Sequence, residues 1–196
     1  MKIAVIDFET ANTSRASACA LGVAVIEDGT VTVRAETLIK PPEACGWFRD
    51  DFIRIHGITP DAVRDAPTFD AVFDAFRPHL AGAVLAAHNA PFDMGVLGAL
   101  LGTYGIPFAC ESLCTLRLAR AAWPRLRSHS LAAVAAHLGV ALDHHRAGSD
   151  AYAAARILLA LRDCGRPALA PYLRRYDWTG AGGGCSLEGT GVRYVH

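Results

Sequence analysis

Apolar runs punctuated by turn residues divide the first 165 positions into strand-like and helix-like segments. Ile3 to Ile6 is an unbroken apolar run, as in a strand buried on both faces, and it stops at Asp7 and Glu9. Leu21–Glu27 and Thr30–Ile39 read as two more strands. Asp28-Gly29 between them favours a two-residue type I′ hairpin turn, and Pro41-Pro42 closes the second strand because neither residue can donate to a ladder. Ile53 to Pro60 reads as a helix end and a turn, with Thr59 capping a short helix from Pro60. Pro67-Thr68 opens an amphipathic helix in which Phe69, Val72, Phe73, Phe76 and Leu80 recur at helical spacing until Gly82. Ala83–Ala87 predicts another short buried strand. Pro91 then starts a helix through Val96, Leu97, Leu100, Leu101 and Tyr104 to Gly105. Phe108–Cys110 is expected as the last strand, followed by helices at 113–122, 130–138 and 149–164.

The order β-β-β-α-β-α-β followed by helices predicts an α/β fold: a mixed, five-stranded sheet flanked by helices, with a hairpin at its start. Residues 1–178 are expected to form this one domain, and Gly180 to Gly184 mark 179–196 as a flexible Gly-rich C-terminal tail.

Composition narrows the class. A chain of 196 residues with 52% hydrophobic content suits one domain with a sizeable core and excludes wholesale disorder. Formal net charge is zero, so nucleic-acid binding would need a local basic patch, for which Arg117, Arg120, Arg125, Arg127 and Arg146 are the candidates. The six cysteines form no Cys-x-x-Cys pair and are expected to be reduced. The N-terminus does not read as a signal peptide, and no window approaches about 20 uninterrupted apolar residues, so a soluble cytoplasmic protein is expected.

The candidate chemistry is acidic. Side chains two apart on a strand share a side, so Asp7 and Glu9 leave the end of a buried strand together. Their repulsion calls for compensation, and a hard divalent cation bound through oxygen is the simplest kind; a solvated acidic turn is the plain alternative. Asp93 and Asp150 each fall in the first turn of an expected helix, where acids are also favoured by the helix dipole. His145 precedes Asp150 by five residues, and on one continuous helix the two would diverge. They can converge only if His145 lies in the loop entering the helix, which Gly148 makes easy.

Three segments, Asp7-Phe-Glu9-Thr10, His88-Asn-Ala-Pro-Phe-Asp93 and His145-Arg-Ala-Gly-Ser-Asp150, resemble the three motifs of the DEDDh 3′–5′ exonucleases. More narrowly they are similar to the branch containing the proofreading epsilon subunit of bacterial DNA polymerase III. Ile55-His-Gly-Ile-Thr59, Ala66-Pro-Thr-Phe69 and Cys114 to Arg120 match in order too, so the likeness covers about residues 1–165. Ala11 and Gly148 depart from the common pattern. The resemblance implies a ribonuclease H-like fold and phosphodiester hydrolysis at 3′ ends, most simply of single-stranded or frayed DNA. It implies that Asp7, Glu9, Asp93 and Asp150 hold two Mg²⁺ or Mn²⁺ ions, with Asp7 bridging both, and that His145 is the general base. Thr10 and Phe92 would line the terminal nucleotide, and His88 would hold the turn of the second motif beside it. His144 is the rival base, set aside because the four-residue gap before Asp150 selects His145. A DNA polymerase or repair complex is the partner such a domain suggests. The alternatives are an exoribonuclease trimming RNA and, in a different class, a non-catalytic nucleic-acid-binding or polymerase-associated adaptor module.

Overall fold

The structure, a computed structural model, describes residues 1–163 and 168–180. Six strands form one mixed sheet: β1 (Ile3–Thr10), β2 (Ala18–Glu27), β3 (Thr30–Leu38), β4 (Val84–Ala87), β5 (Ala109–Cys114) and β6 (Arg174–Asp177), in the order β3-β2-β1-β4-β5-β6. The helices are α1 (Asp50–His56), α2 (Phe69–Leu80), α3 (Pro91–Tyr104), α4 (Thr115–Ala122), α5 (Leu131–His137) and α6 (Ala147–Asp163). Strands β1 to β3 are antiparallel neighbours, whereas β4 and β5 run parallel to β1 after helical crossovers.

Both faces of the sheet are covered, as a mostly buried sheet requires. Ala4, Ile6 and Phe8 of β1 pack with α2 and α3 on one face, while Ile3 and Val5 pack with α4, α5 and α6 on the other. The period-two alternation therefore sends Asp7 and Glu9 to the α6 face. Asp28 and Gly29 both take positive φ, 48° and 78°, as the type I′ turn requires.

The sheet has one strand more than the five expected. β6 adds antiparallel to β5, and of its four residues only Tyr176 is buried. So short an edge strand carries too little alternation to be read from its residues alone. Thr59 Oγ1 accepts from Ala62 N–H at 3.3 Å, but residues 60–65 form successive turns rather than the short helix expected there. The Gly-rich segment from residue 181 onward lies outside the described residues, as do Cys164 and Cys185; Cys19, Cys110 and Cys114 are free thiols. Among the described residues no helix is long and apolar enough to cross a membrane.

Candidate active site

The site forms where β1 outruns its neighbour. β4 pairs only with Ile3–Val5, so from Ile6 onward that edge of β1 has no strand partner. Helix α3 starts just beyond β4, and Asp93 in its first turn uses the vacant edge: its Oδ1 accepts the Phe8 N–H at 3.1 Å. Asp93 is thus tied to the backbone between Asp7 and Glu9, although it comes from the opposite layer. Asn89, at φ 73°, makes the left-handed turn that brings β4 into α3.

Asp150 arrives from the other side. The first turn of α6 lies against β2 at Gly22, where a Cβ would overlap the Ala147 carbonyl and stand 2.5 Å from Gly148 N. Gly22 is the cross-strand partner of Asp7, so this close approach sets Asp150 beside Asp7. Carboxylate oxygens of Asp7, Glu9 and Asp150 all lie within 4.8 Å of one another. Asp150 Oδ2 accepts from the His145 backbone N–H at 3.1 Å and from His144 Nδ1 at 3.0 Å. Asp150 Oδ1 is buried and has no hydrogen-bond partner.

The electrostatic consequence is consistent across the cluster. Burial, then the charges of Asp93, Asp150, Glu9 and Glu36, holds the Asp7 carboxyl well above the usual range. Burial and the charges of Asp150, Asp93 and Glu36 push Glu9 up to about 8. Burial lifts Asp93 to about 7 against the opposing Phe8 N–H bond, and Asp150 is raised by burial against its His145 and His144 contacts. Such an assembly prefers protons or cations to bare charge. Hard oxygen donors, one of them a buried orphan, fit a divalent ion, and Asp7, Glu9 and Asp150 with the adjacent Asp93 are the residues that would hold it.

His145 lies in the loop entering α6, at φ 68°, a conformation rare for a residue with a side chain. That turn aims its backbone N–H at Asp150. Its ring stacks on His144 at 3.8 Å and makes no hydrogen bond among the described residues. Burial, then the neighbouring His144, keeps the His145 pKa below the ordinary value despite Asp150. The two histidines, the acids, Phe92, His88, Arg120 and Arg127 line one open cleft of about 700 Å³. Of the five candidate arginines only Arg120 and Arg127 line it; Arg146 instead lies 3.4 Å from Glu36 and 3.6 Å from Asp143.

The remaining candidates occupy distinct places. Phe92 is 40% exposed at the cleft, whereas Thr10, next to Glu9 in sequence, is buried and does not line the cleft, its carbonyl accepting from His56 Nε2 at 3.2 Å. His56 Nδ1 accepts from Ile58 N–H at 3.0 Å, which fixes that tautomer. Both ring nitrogens of His88 are engaged, Nε2 donating to the His129 carbonyl and Nδ1 meeting Thr115 Oγ1, each at 2.9 Å. Glu36 escaped the sequence reading. It sits across Gly22 from Asp7 in one cross-strand row, a relation that only strand register reveals.

Comparison with known proteins bears on the family and the fold. The family model described as Exonuclease matches residues 4–158. A PolC-type DNA polymerase III from Clostridium perfringens is 34% identical over 139 residues, and one from Oceanobacillus iheyensis 37% over 145, covering 70% and 72% of this chain. The chain spans about a tenth of the length of these curated relatives, 9% and 10% respectively. Among solved structures, Exonuclease X in complex with 5′ overhanging duplex DNA is similar at TM-score 0.69 and 25% identity, covering 85% of this chain and 95% of that one. The nuclease domain of a DEDDh family member bound to rAMP shares the fold at TM-score 0.67 and 21% identity, over 84% of this chain and 92% of that one.

Proposed function

The chain belongs to the exonuclease family and carries the frame of a 3′–5′ exonuclease, and on that premise we propose that it hydrolyses single-stranded or frayed DNA from the 3′ end, releasing nucleoside monophosphates. The observation that carries this reading is the convergence of Asp7, Glu9 and Asp150, with Asp93 tied alongside, next to the His145 ring, which makes no hydrogen bond among the described residues.

The family uses divalent metal, and two Mg²⁺ or Mn²⁺ ions are the proposed cofactor, which Asp7, Glu9, Asp93 and Asp150 would hold. When bound, the ions supply an acidified water and charge stabilisation at the leaving oxygen. His145, kept neutral by its surroundings, accepts the proton of the attacking water as the new P–O bond forms. The P–O3′ bond breaks, and the departing 3′ oxygen takes up a proton from solvent. Phe92 offers its exposed ring to the terminal base, and Thr10 supports the sugar at the end of β1. His88, with its nitrogens occupied, contributes a fixed wall to the nucleotide's cleft. Arg120 and Arg127 supply the local positive charge that a zero net charge otherwise withholds. The PolC-type relatives support association with a DNA polymerase or repair complex as the proposed partner, and the cytoplasm is the proposed compartment.

The test is end-labelled DNA and RNA oligomers of one sequence, with free or blocked 3′ ends, with and without Mg²⁺. Stepwise loss from free 3′ ends, abolished in folded Asp7→Ala, is the expected result. Indifference to chelator, or unchanged turnover in that variant, overturns the reading; faster loss of the RNA oligomer would reassign the substrate.

A further inference from the structure

The loop between β1 and β2 is tied to the backbone at Cys45 and Trp47 and reaches from there to the first turn of α3. Asn12, 1% exposed, donates from Nδ2 to the carbonyls of Cys45 at 2.9 Å and Trp47 at 2.6 Å, and its Oδ1 accepts Ser14 N–H at 2.8 Å. Ser17 Oγ accepts Asn12 N–H at 3.2 Å and donates to the Ser14 carbonyl at 2.7 Å. Buried polar groups satisfied in this way make a loop rigid. From its exposed crest Arg15 extends to α3, where Nη1 donates to the carbonyls of Pro91 at 3.1 Å and Phe92 at 3.4 Å. A helical carbonyl has a second lone pair for such a donor.

Gly95 is the seat for that guanidinium. A Cβ there would overlap Arg15 Nη1 and stand 2.6 Å from Cζ, so any larger residue drives the arginine out. The two neighbouring site residues on this turn differ in what holds them. Asp93 has its own anchor in the Phe8 N–H. The Phe92 ring stacks on no aromatic side chain among the described residues, so its placement depends on the backbone that Arg15 grips.

We infer that Arg15, seated over Gly95, is a positioning residue that holds the first turn of α3 so that Phe92 meets the terminal nucleotide, setting affinity for the nucleic acid rather than turnover. This rests on the exonuclease reading for its substrate and on the contacts above for its geometry.

The experiment compares the full chain with Arg15→Ala, Arg15→Lys, Gly95→Ala and the Arg15→Ala/Gly95→Ala double variant. Binding of a labelled single-stranded oligodeoxynucleotide is read by anisotropy in Ca²⁺, hydrolysis in Mn²⁺, and Mn²⁺ affinity by calorimetry. Arg15→Ala and Gly95→Ala should each weaken oligomer Kd and raise KM by about tenfold, with kcat within about twofold and Mn²⁺ affinity unchanged. The double variant should be no worse than either single one, because both remove the same contact. Arg15→Lys should recover part of the loss. If Gly95→Ala binds like wild type while Arg15→Ala loses affinity and about one unit of salt slope, Arg15 is a phosphate contact and the positioning role is overturned. A fall in kcat or Mn²⁺ affinity at constant KM overturns it as well. Wild-type protein that binds DNA without cutting it refutes the exonuclease reading, while the Kd comparison still decides the role of Arg15.

Discussion

Replacing Glu9 with Gln should remove one separable part of the pH dependence of stability. In the metal-free protein, Glu9 is pushed up from an ordinary 4.5 to about 8, chiefly because it is buried and secondarily because Asp150, Asp93 and Glu36 face it. Between those two values the folded state keeps a proton that the unfolded chain has released. Stability therefore falls as pH rises, at up to about 1.4 kcal/mol per pH unit, and the fall levels off above pH 8. From pH 5 to pH 8 this single group accounts for about 4 kcal/mol, a large part of the 5–15 kcal/mol typical of a domain. Urea unfolding with chelator present, at pH 5 to 9, measures it. Wild type should lose stability steadily over that range, Glu9→Gln should lose less by the share of this one group while Asp7 and Asp93 keep a residual slope, and excess Mn²⁺ should flatten the wild-type profile by replacing protons with cations. Parallel profiles for wild type and variant, within about 1 kcal/mol throughout, would refute the claim that Glu9 carries an uncompensated buried charge.

Two further outcomes probe the supports of the site. Gly22→Ala should destabilise the fold by about 3 kcal/mol, since the new methyl meets the Ala147–Gly148 backbone rather than a flexible side chain; thermal melts check this, and a loss below about 0.5 kcal/mol would mean that α6 shifts freely. His145→Ala should lower kcat about 100-fold or more with Mn²⁺ affinity kept, whereas His144→Ala, which removes a hydrogen bond to Asp150 Oδ2 and the ring stacked on His145, should cost less than about tenfold; the reverse ranking in single-turnover kinetics would move the base to His144.

Four acids of the site, Asp7, Glu9, Asp93 and Asp150, are legible in the sequence alone, whereas Glu36, which also faces Glu9, is not. Asp7 and Glu9 follow an apolar run, and Asp93 and Asp150 stand in helical first turns, so their local settings are set by short-range pattern. The hairpin turn at Asp28-Gly29 and the capping of α5 by Ser130, which accepts Ala133 N–H at 3.3 Å, are equally local. The helix expected after Thr59 failed for the complementary reason. A capping residue satisfies one N–H, but turns continue only if an apolar face is buried, and only Val63 is buried in that stretch.

What the chain determined by itself is therefore the inventory: strand and helix segments, their order, four carboxylates and a histidine at the ends of elements. Tertiary structure decided how these meet. That Asp93 bonds Phe8 N–H depends on β4 being shorter than β1, which no local pattern states. Glu36 enters the field of Asp7 only because register sets Gly22 between them, and Arg15 finds its seat 80 residues away at Gly95. Strand β6 exists because β5 offers an open edge to a segment with a single buried side chain. Periodicity and turn chemistry act over a few residues, whereas pairing edges, close backbone approaches and shared electrostatic fields arise between segments once the chain has folded.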